Sequence, residues 1–227
     1  MTWGVLSSST FGAASPDADT IGYDEAIENY FYSVLTEDEQ NELNSGMGGV
    51  PWTKFSDKFV KDLGWLADHE RPKRFRLQKT YKELCSLIFL ENRLAAVDIR
   101  LKDIIEELEP GVHQFWPIEL TQPKDKPYPV PYFGMVVHSH LNCFRLEECD
   151  PGHAEDKSIG DHIRYSIRGK SRADLKGAAM SRAAIGSHHI WREKYLHSPW
   201  FLLSDTLAAR IHDAGLKMPK HYPMKDV

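Results

Sequence analysis

The sequence predicts an α+β fold: a mostly antiparallel sheet with packed helices, preceded by a helical, acidic N-terminal segment. Three observations predict it. Apolar residues repeat at helical spacing over residues 23–35 and again over 101–108. Short stretches rich in β-branched and aromatic residues follow: "VHQFWPIEL", "FGMVVHSHLNCFRL", "HIRYSIRG", "HHIWREKY" and "WFLL". Finally, "VDIRLKDIIEELEPG" and "LSDTLAARIHDAG" each run from an apolar residue through a polar cap into a short helix ending near Gly. Aligning Asp98 with Ser204 puts Leu101 on Leu207 and Ile105 on Ile211, so two helices are expected to pack similarly on one sheet.

In chain order, the first helix is expected over "YDEAIENYFYSVL". Tyr23, Ile27, Tyr30, Phe31, Val34 and Leu35 form its apolar stripe, and Asp24, Glu25 and Glu28 lie toward the positive end of its dipole. Thr36 caps the second helix with Glu39 as capping-box partner, and Gly46 stops it inside the flexible joint "SGMGG". A third helix is expected over "FSDKFVKDLGWLADH", capped by Ser56, with Phe59, Leu63 and Leu66 inward. Helical and extended signals compete in "RLQKTYKELCSLIFLENRLAA", and periodicity leaves that stretch open. Asp98 caps the helix marked by Leu101, Ile104, Ile105 and Leu108, which "EPG" ends.

Pro117 marks the strand "VHQFWPIEL" as an edge or a bulge, and Pro123, Pro127, Pro129 and Pro131 make "TQPKDKPYPVPY" a polyproline-like surface connection. "EECDPGHAEDKSIGD" reads as a polar loop, and "LHSP" as a turn between two strands. Ser204 caps the last helix and Gly215 stops it. The expected division is an acidic helical segment over 1–80 and an α+β domain over 81–227, together one compact unit.

At 227 residues, 41% hydrophobic and 27% charged, the chain has the size and composition of a soluble protein with a sizeable core. No apolar run approaches the roughly 20 residues of a membrane span. The opening "MTWGVLSSSTFGAASPD" lacks the basic start of a secretory signal, and serines break its apolar stretch. Three cysteines, Cys85, Cys143 and Cys149, form no C-x-x-C and no paired framework, which suits a reducing cytoplasm.

Charge is unevenly spread. Residues 1–50 hold nine Asp or Glu and no Lys or Arg, whereas the rest carries 28 Lys and Arg against 24 Asp and Glu, a balance of +4. The acidic lobe disfavours nucleic acid and favours a basic protein partner, and a merely solvated helical face is the plain alternative.

Eleven histidines invite a metal. If "MVVHSHLNCF" is a strand, His138 and His140 share a face, and His113, His162, His188 or His189 would have to supply a third ligand. No H-E-x-x-H or H-x-E…C-x-x-C pattern is present, so a metal-dependent hydrolase on His138 and His140 is the weaker reading. No G-x-S-x-G elbow or phosphate loop occurs, and a thiol–imidazole dyad is uninformative among so many histidines. The basic run Arg164, Arg168, Lys170, Arg172 and Lys176 contains one aromatic, Tyr165, so a nucleic-acid adaptor is the third reading.

Two stretches carry a resemblance. "DIRLKDIIEELEPGVHQFWPIEL" leads a capped helix through Glu-Pro-Gly into a strand with an aromatic-Pro step, and "HHIWREKYLHSPWFLLSDTLAARIHDAGLK" closes with a strand, a Ser-Asp cap and a helix finishing in Ala-Gly-Leu. Together they resemble the immunity-protein family numbered eleven of bacterial polymorphic toxin systems, over about residues 90–227. The resemblance implies a cytoplasmic antidote that binds a cognate toxin, delivered to rival cells by contact-dependent or type VI secretion, with no cofactor and no chemistry of its own. Charge then names the expected partner-binding residues: Asp24, Glu25, Glu28, Glu37, Asp38 and Glu39, facing a basic toxin, a nuclease among the candidates. The oligomeric state is left open.

Overall fold

In the computed structural model, residues 1–7, 10–61, 63–196, 198–199 and 201–227 are described. In chain order the elements are β1 (Thr2–Val5), β2 (Ala18–Thr20), α1 (Tyr23–Asn29), α2 (Glu37–Asn44), α3 (Trp52–Asp57), β3 (Arg74–Leu77), β4 (Leu87–Phe89) and β5 (Ala95–Asp98). Next come α4 (Ile99–Leu108), β6 (Gln114–Gln122), β7 (Lys126–Pro127), β8 (Tyr132–Val136), β9 (His140–Leu141), β10 (Ala154–Asp156) and β11 (Tyr165–Ile167). The chain ends with α5 (Arg172–Lys176), β12 (Ala179–Met180), α6 (Arg182–Ile185), β13 (Ile190–Glu193), β14 (Phe201–Ser204), α7 (Asp205–Asp213) and β15 (His221–Asp226). The class is α+β. Nine of the twelve strand pairings among the described residues are antiparallel, so the mostly antiparallel expectation holds.

There are two large sheets rather than one. The first runs β12-β15-β1-β14-β13-β9; the second runs β2-β3-β6-β8-β5-β4, with β7 on β6. The opening residues form an interior strand: Thr2 to Val5 pair with Ser204 to Phe201 on one side and with Met224 to His221 on the other. The sheets face each other through Val5, Phe201 and Leu203 against Phe89, Val97 and Met135, and the Phe89 and Phe201 rings lie 6.1 Å apart and nearly parallel. Leu101 and Ile105 of α4, with Leu207 and Ile211 of α7, complete that core. The two echoing helices therefore meet in one core, but each follows a strand of a different sheet: α4 leaves β5 and α7 leaves β14.

Beyond the second sheet, Tyr23, Ile27, Phe55, Phe59 and Leu66 pack on Phe75, Trp116 and Leu120. Beyond the first, Leu175, Met180 and Ile185 pack on Trp191 and Leu202. The stretch that periodicity left open holds the end of β3, all of β4 and the start of β5. Ala95 and Val97 of β5 face one core and Ala96 the other, and a strand buried on both faces shows no alternation.

The capped ends form as read. Asp98 Oδ1 accepts from the Leu101 amide at 2.8 Å, Ser204 Oγ from Leu207 at 3.1 Å, and Thr36 and Glu39 form the full capping box. Gly215 follows α7 with φ 63°.

Four readings need correction. The third helix starts and ends early: α3 covers Trp52–Asp57, and Ser56 Oγ turns back to the Thr53 carbonyl instead of capping. Phe59 and Leu66 are buried, but Gly64 at φ 85° turns the chain and leaves Leu63 52% exposed. Pro117 lies in an interior strand, not an edge. The Glu119 amide, two residues on, donates to Lys73, so the absent Pro117 donor faces the flank beyond the Arg74 end of β3. In the "EECDPGHAEDKSIGD" loop, Ala154–Asp156 pair with Ile167–Tyr165 as a two-stranded ribbon. Val34 belongs to the expected apolar stripe, yet it is 63% exposed, because Tyr30–Val34 form a π-helical turn whose larger number of residues per turn rotates it off that stripe. Asp62, His197 of the "LHSP" turn and Trp200 of the "WFLL" strand lie outside the described residues.

Candidate partner-binding surface

Asp24, Glu25 and Glu28 project from α1, and Glu37, Asp38 and Glu39 from the first turn of α2; all six are exposed. Among the described residues none of them is in an ion pair with Lys, Arg or His. Glu39 differs from the other five, because its Oε2 accepts from the Thr36 amide and hydroxyl at 2.8 Å and closes the capping box. Those bonds hold its carboxyl below the usual range. Asp24 moves the other way. Partial burial raises its pKa first, and Glu91 and Glu25 beside it raise it further.

Apolar surface accompanies the charge. Tyr32 and Val34 of the π-helical turn are 58% and 63% exposed. Tyr30 stacks on His69 with ring centroids 3.6 Å apart, and lines a groove of about 390 Å³ with Leu35, Glu39, Glu42, Leu43 and Lys54. An apolar patch bordered by unpaired acids is the composition of a protein-binding surface with a polar rim.

The histidines are placed otherwise than the metal reading needs. β8 ends at Val136 and β9 starts at His140, so His138 and His140 do not share a continuous strand face. His138 stacks on Trp65 at 4.6 Å, and His140 Nε2 lies 3.1 Å from the Val137 carbonyl. Among the described residues no three His, Cys, Asp or Glu side chains converge in a way that holds an ion.

Glu109, which the sequence did not single out, gathers two histidines. Its Oε2 accepts from the Ile190 amide at 2.9 Å and lies 3.1 Å from His113 Nε2, and its Oε1 lies 3.4 Å from His188 Nδ1. Burial pushes this carboxyl up, but bonds from His113 and from the amides of His189 and Ile190 outweigh it and hold the pKa low. Ser139 Oγ reaches the same His188 Nδ1 at 3.1 Å. A nucleophile relay needs serine and carboxylate on opposite ring nitrogens, and here both crowd one. The group ties the end of α4 to β13.

The thiols show no activation. Burial raises the Cys85 thiol and pushes Cys143 up to about 12. The basic run is divided by the fold. Arg168 pairs with Glu155 at 3.1 Å, Arg164 and Lys170 line a cleft of about 690 Å³ with Tyr165, and Lys176 lines a different one beside Asp150 and Asp226. No continuous basic stripe results. Among the described residues no helix is long and apolar enough to cross a membrane.

No curated protein matches the chain. A family does: residues 54–226 match the immunity protein family Imm11, a span that includes the whole of the first sheet except β1, and every strand of the second except β2. α1 and α2, which carry the acidic face, precede the matched span. With more than half of its residues inside that match, the chain belongs to the Imm11 immunity protein family.

Proposed function

We propose that this chain binds and neutralises a cognate antibacterial toxin in the cytoplasm of the cell that makes both. It acts by occupying the toxin, without catalysis of its own. Membership of the immunity protein family carries the proposal. The toxin belongs to a polymorphic system, delivered to rivals by contact-dependent or type VI secretion, and its binding face is basic, as in a nuclease. The acids Asp24, Glu25, Glu28, Glu37 and Asp38, in no ion pair among the described residues and beside exposed Tyr32 and Val34, support that choice of partner. Glu39 contributes charge to the same face while capping α2. Such a face steers association and excludes like-charged partners.

The test is co-expression with the toxin encoded beside it, together with titration of the purified pair. Survival of the producing cells and a stable complex are expected. A toxin that kills the cells equally in the presence of this chain, and shows no binding to it, overturns the proposal.

A further inference from the structure

The charge of this chain is polarised across its layers. Tyr30 and Leu43 of the acidic helical segment pack beyond the second sheet, whereas Tyr165 and Ile167 of the β10–β11 ribbon pack beyond the first. Both sheets and the core between them separate the two outer faces. Residues 1–50 hold nine Asp or Glu and no Lys or Arg, and the rest of the chain carries a balance of +4. The two faces cannot meet within one copy, but they can meet between copies.

The basic side offers a cleft of about 690 Å³. Ile159, Arg164 and Tyr165 of the ribbon border it, with Lys170 beyond β11 and Ser7 and Ser198 from segments next to β1 and β14. Arg164 and Lys170 are in no ion pair among the described residues. Lys157 and Arg168 instead share Glu155. Ile159 is 80% exposed, yet the arm that carries it is ordered. The Lys157 amide donates to the Arg164 carbonyl at 2.8 Å, and Ile159 and His162 exchange backbone bonds of 3.1 Å. At the base of the arm the Tyr165 amide donates to the Tyr195 carbonyl at 3.0 Å, so this wall of the cleft is formed in advance.

The acidic face matches the cleft in two respects. Asp24, Glu25 and Glu28 are opposite in sign to Arg164 and Lys170, and exposed Tyr32 and Val34 supply apolar surface for Ile159 and Tyr165. We infer that the α1–α2 face of one copy docks in the cleft of a second copy. Each copy contributes a different surface, so the contact is heterologous and propagates head to tail. It covers the face that the proposed function gives to the toxin; on that reading alone, toxin and second copy compete.

Sedimentation velocity of the full chain over a range of concentrations tests the contact without the toxin. Mass above that of one copy is expected at low salt, falling back to one copy at high salt. One variant carries Arg164→Glu and Lys170→Glu, another Asp24→Lys, Glu25→Lys and Glu28→Lys. Each should stay folded by circular dichroism and associate about tenfold more weakly than the parent. Mixing the two should restore association, because the acidic face of the first meets the unaltered cleft of the second. A parent that stays monomeric at low salt overturns the inference and leaves the cleft to an acidic surface of another protein. A mixture that stays monomeric, or a mass unchanged by salt or by either variant, overturns it as well. A toxin that binds the parent without dispersing its assembly overturns the competition, and the head-to-tail contact stands. A toxin that ignores the parent overturns the immunity reading, on which sedimentation of the chain alone does not depend.

Discussion

Glu109, just past the end of α4, accepts a hydrogen bond from the amide of Ile190, the first residue of β13, at 2.9 Å. Eighty-one positions separate them, and the bond joins a helix that leaves the second sheet to a strand of the first. With His113 and His188 on the same carboxylate, it fastens the two sheets at one point.

Glu109→Gln should therefore destabilise the fold by about 1–3 kcal/mol at neutral pH, because it leaves buried donors poorly matched. The pH dependence has a definite sign. Folding lowers this pKa below its ordinary 4.5, so its contribution is full above that value and is lost as pH falls through the folded value. Denaturant titrations of parent and variant at several pH values check this. Their stabilities should converge on acidification, and a constant difference would contradict the assignment.

Gly134 in β8 faces the Trp116 indole so closely that an added Cβ would overlap the ring. Trp116 cannot retreat easily, since its Nε1 donates to the Pro72 carbonyl at 2.8 Å. Gly134→Ala is expected to cost about 1–3 kcal/mol, the range for overpacking a core. Chemical unfolding measures it directly.

Asp98→Ala removes the cap of α4, whose Oδ1 holds the Leu101 amide in a buried setting. A loss of about 1–2 kcal/mol is expected, and Asp98→Asn should recover most of it by keeping the acceptor. Equal losses for both variants would mean that the charge, not the cap, is what matters.

Charge reversal separates steering from folding. Replacing Asp24, Glu25 and Glu28 by Lys leaves every internal ion pair among the described residues intact, so the fold should persist with only a small loss from cations at the positive end of α1, while toxin association slows about tenfold and responds less to salt. Reversing Glu37, Asp38 and Glu39 also breaks the capping box, so α2 should fray. Glu39→Gln, which preserves the box, is the control. Stopped-flow association with the toxin and helical circular dichroism give the two readouts.

The sequence by itself determined the local features. Thr36 with Glu39, Asp98 and Ser204 cap their helices as read, because a cap needs only residues three positions apart. The α+β class and the family were legible for a similar reason: "DIRLKDIIEEL" encodes cap and helix, and "FLLSDTLAARI" strand, cap and helix, each in one run. The six acids of α1 and α2 were legible as exposed charge, since a charged side chain without a partner stays in water.

Tertiary structure decided what depends on distant pairing. Thr2–Val5 became an interior strand only because β14 and β15, two hundred residues away, border it. β4 and β5 escaped detection because cores on both faces erase the alternation that marks a strand. His138 and His140 lost their shared face where β8 ended two residues short. Ser7 and Arg164 border one cleft from distant parts of the chain, and Glu109 finds its partner in Ile190. No spacing rule reaches that far: only the packing of the sheets brings those residues together.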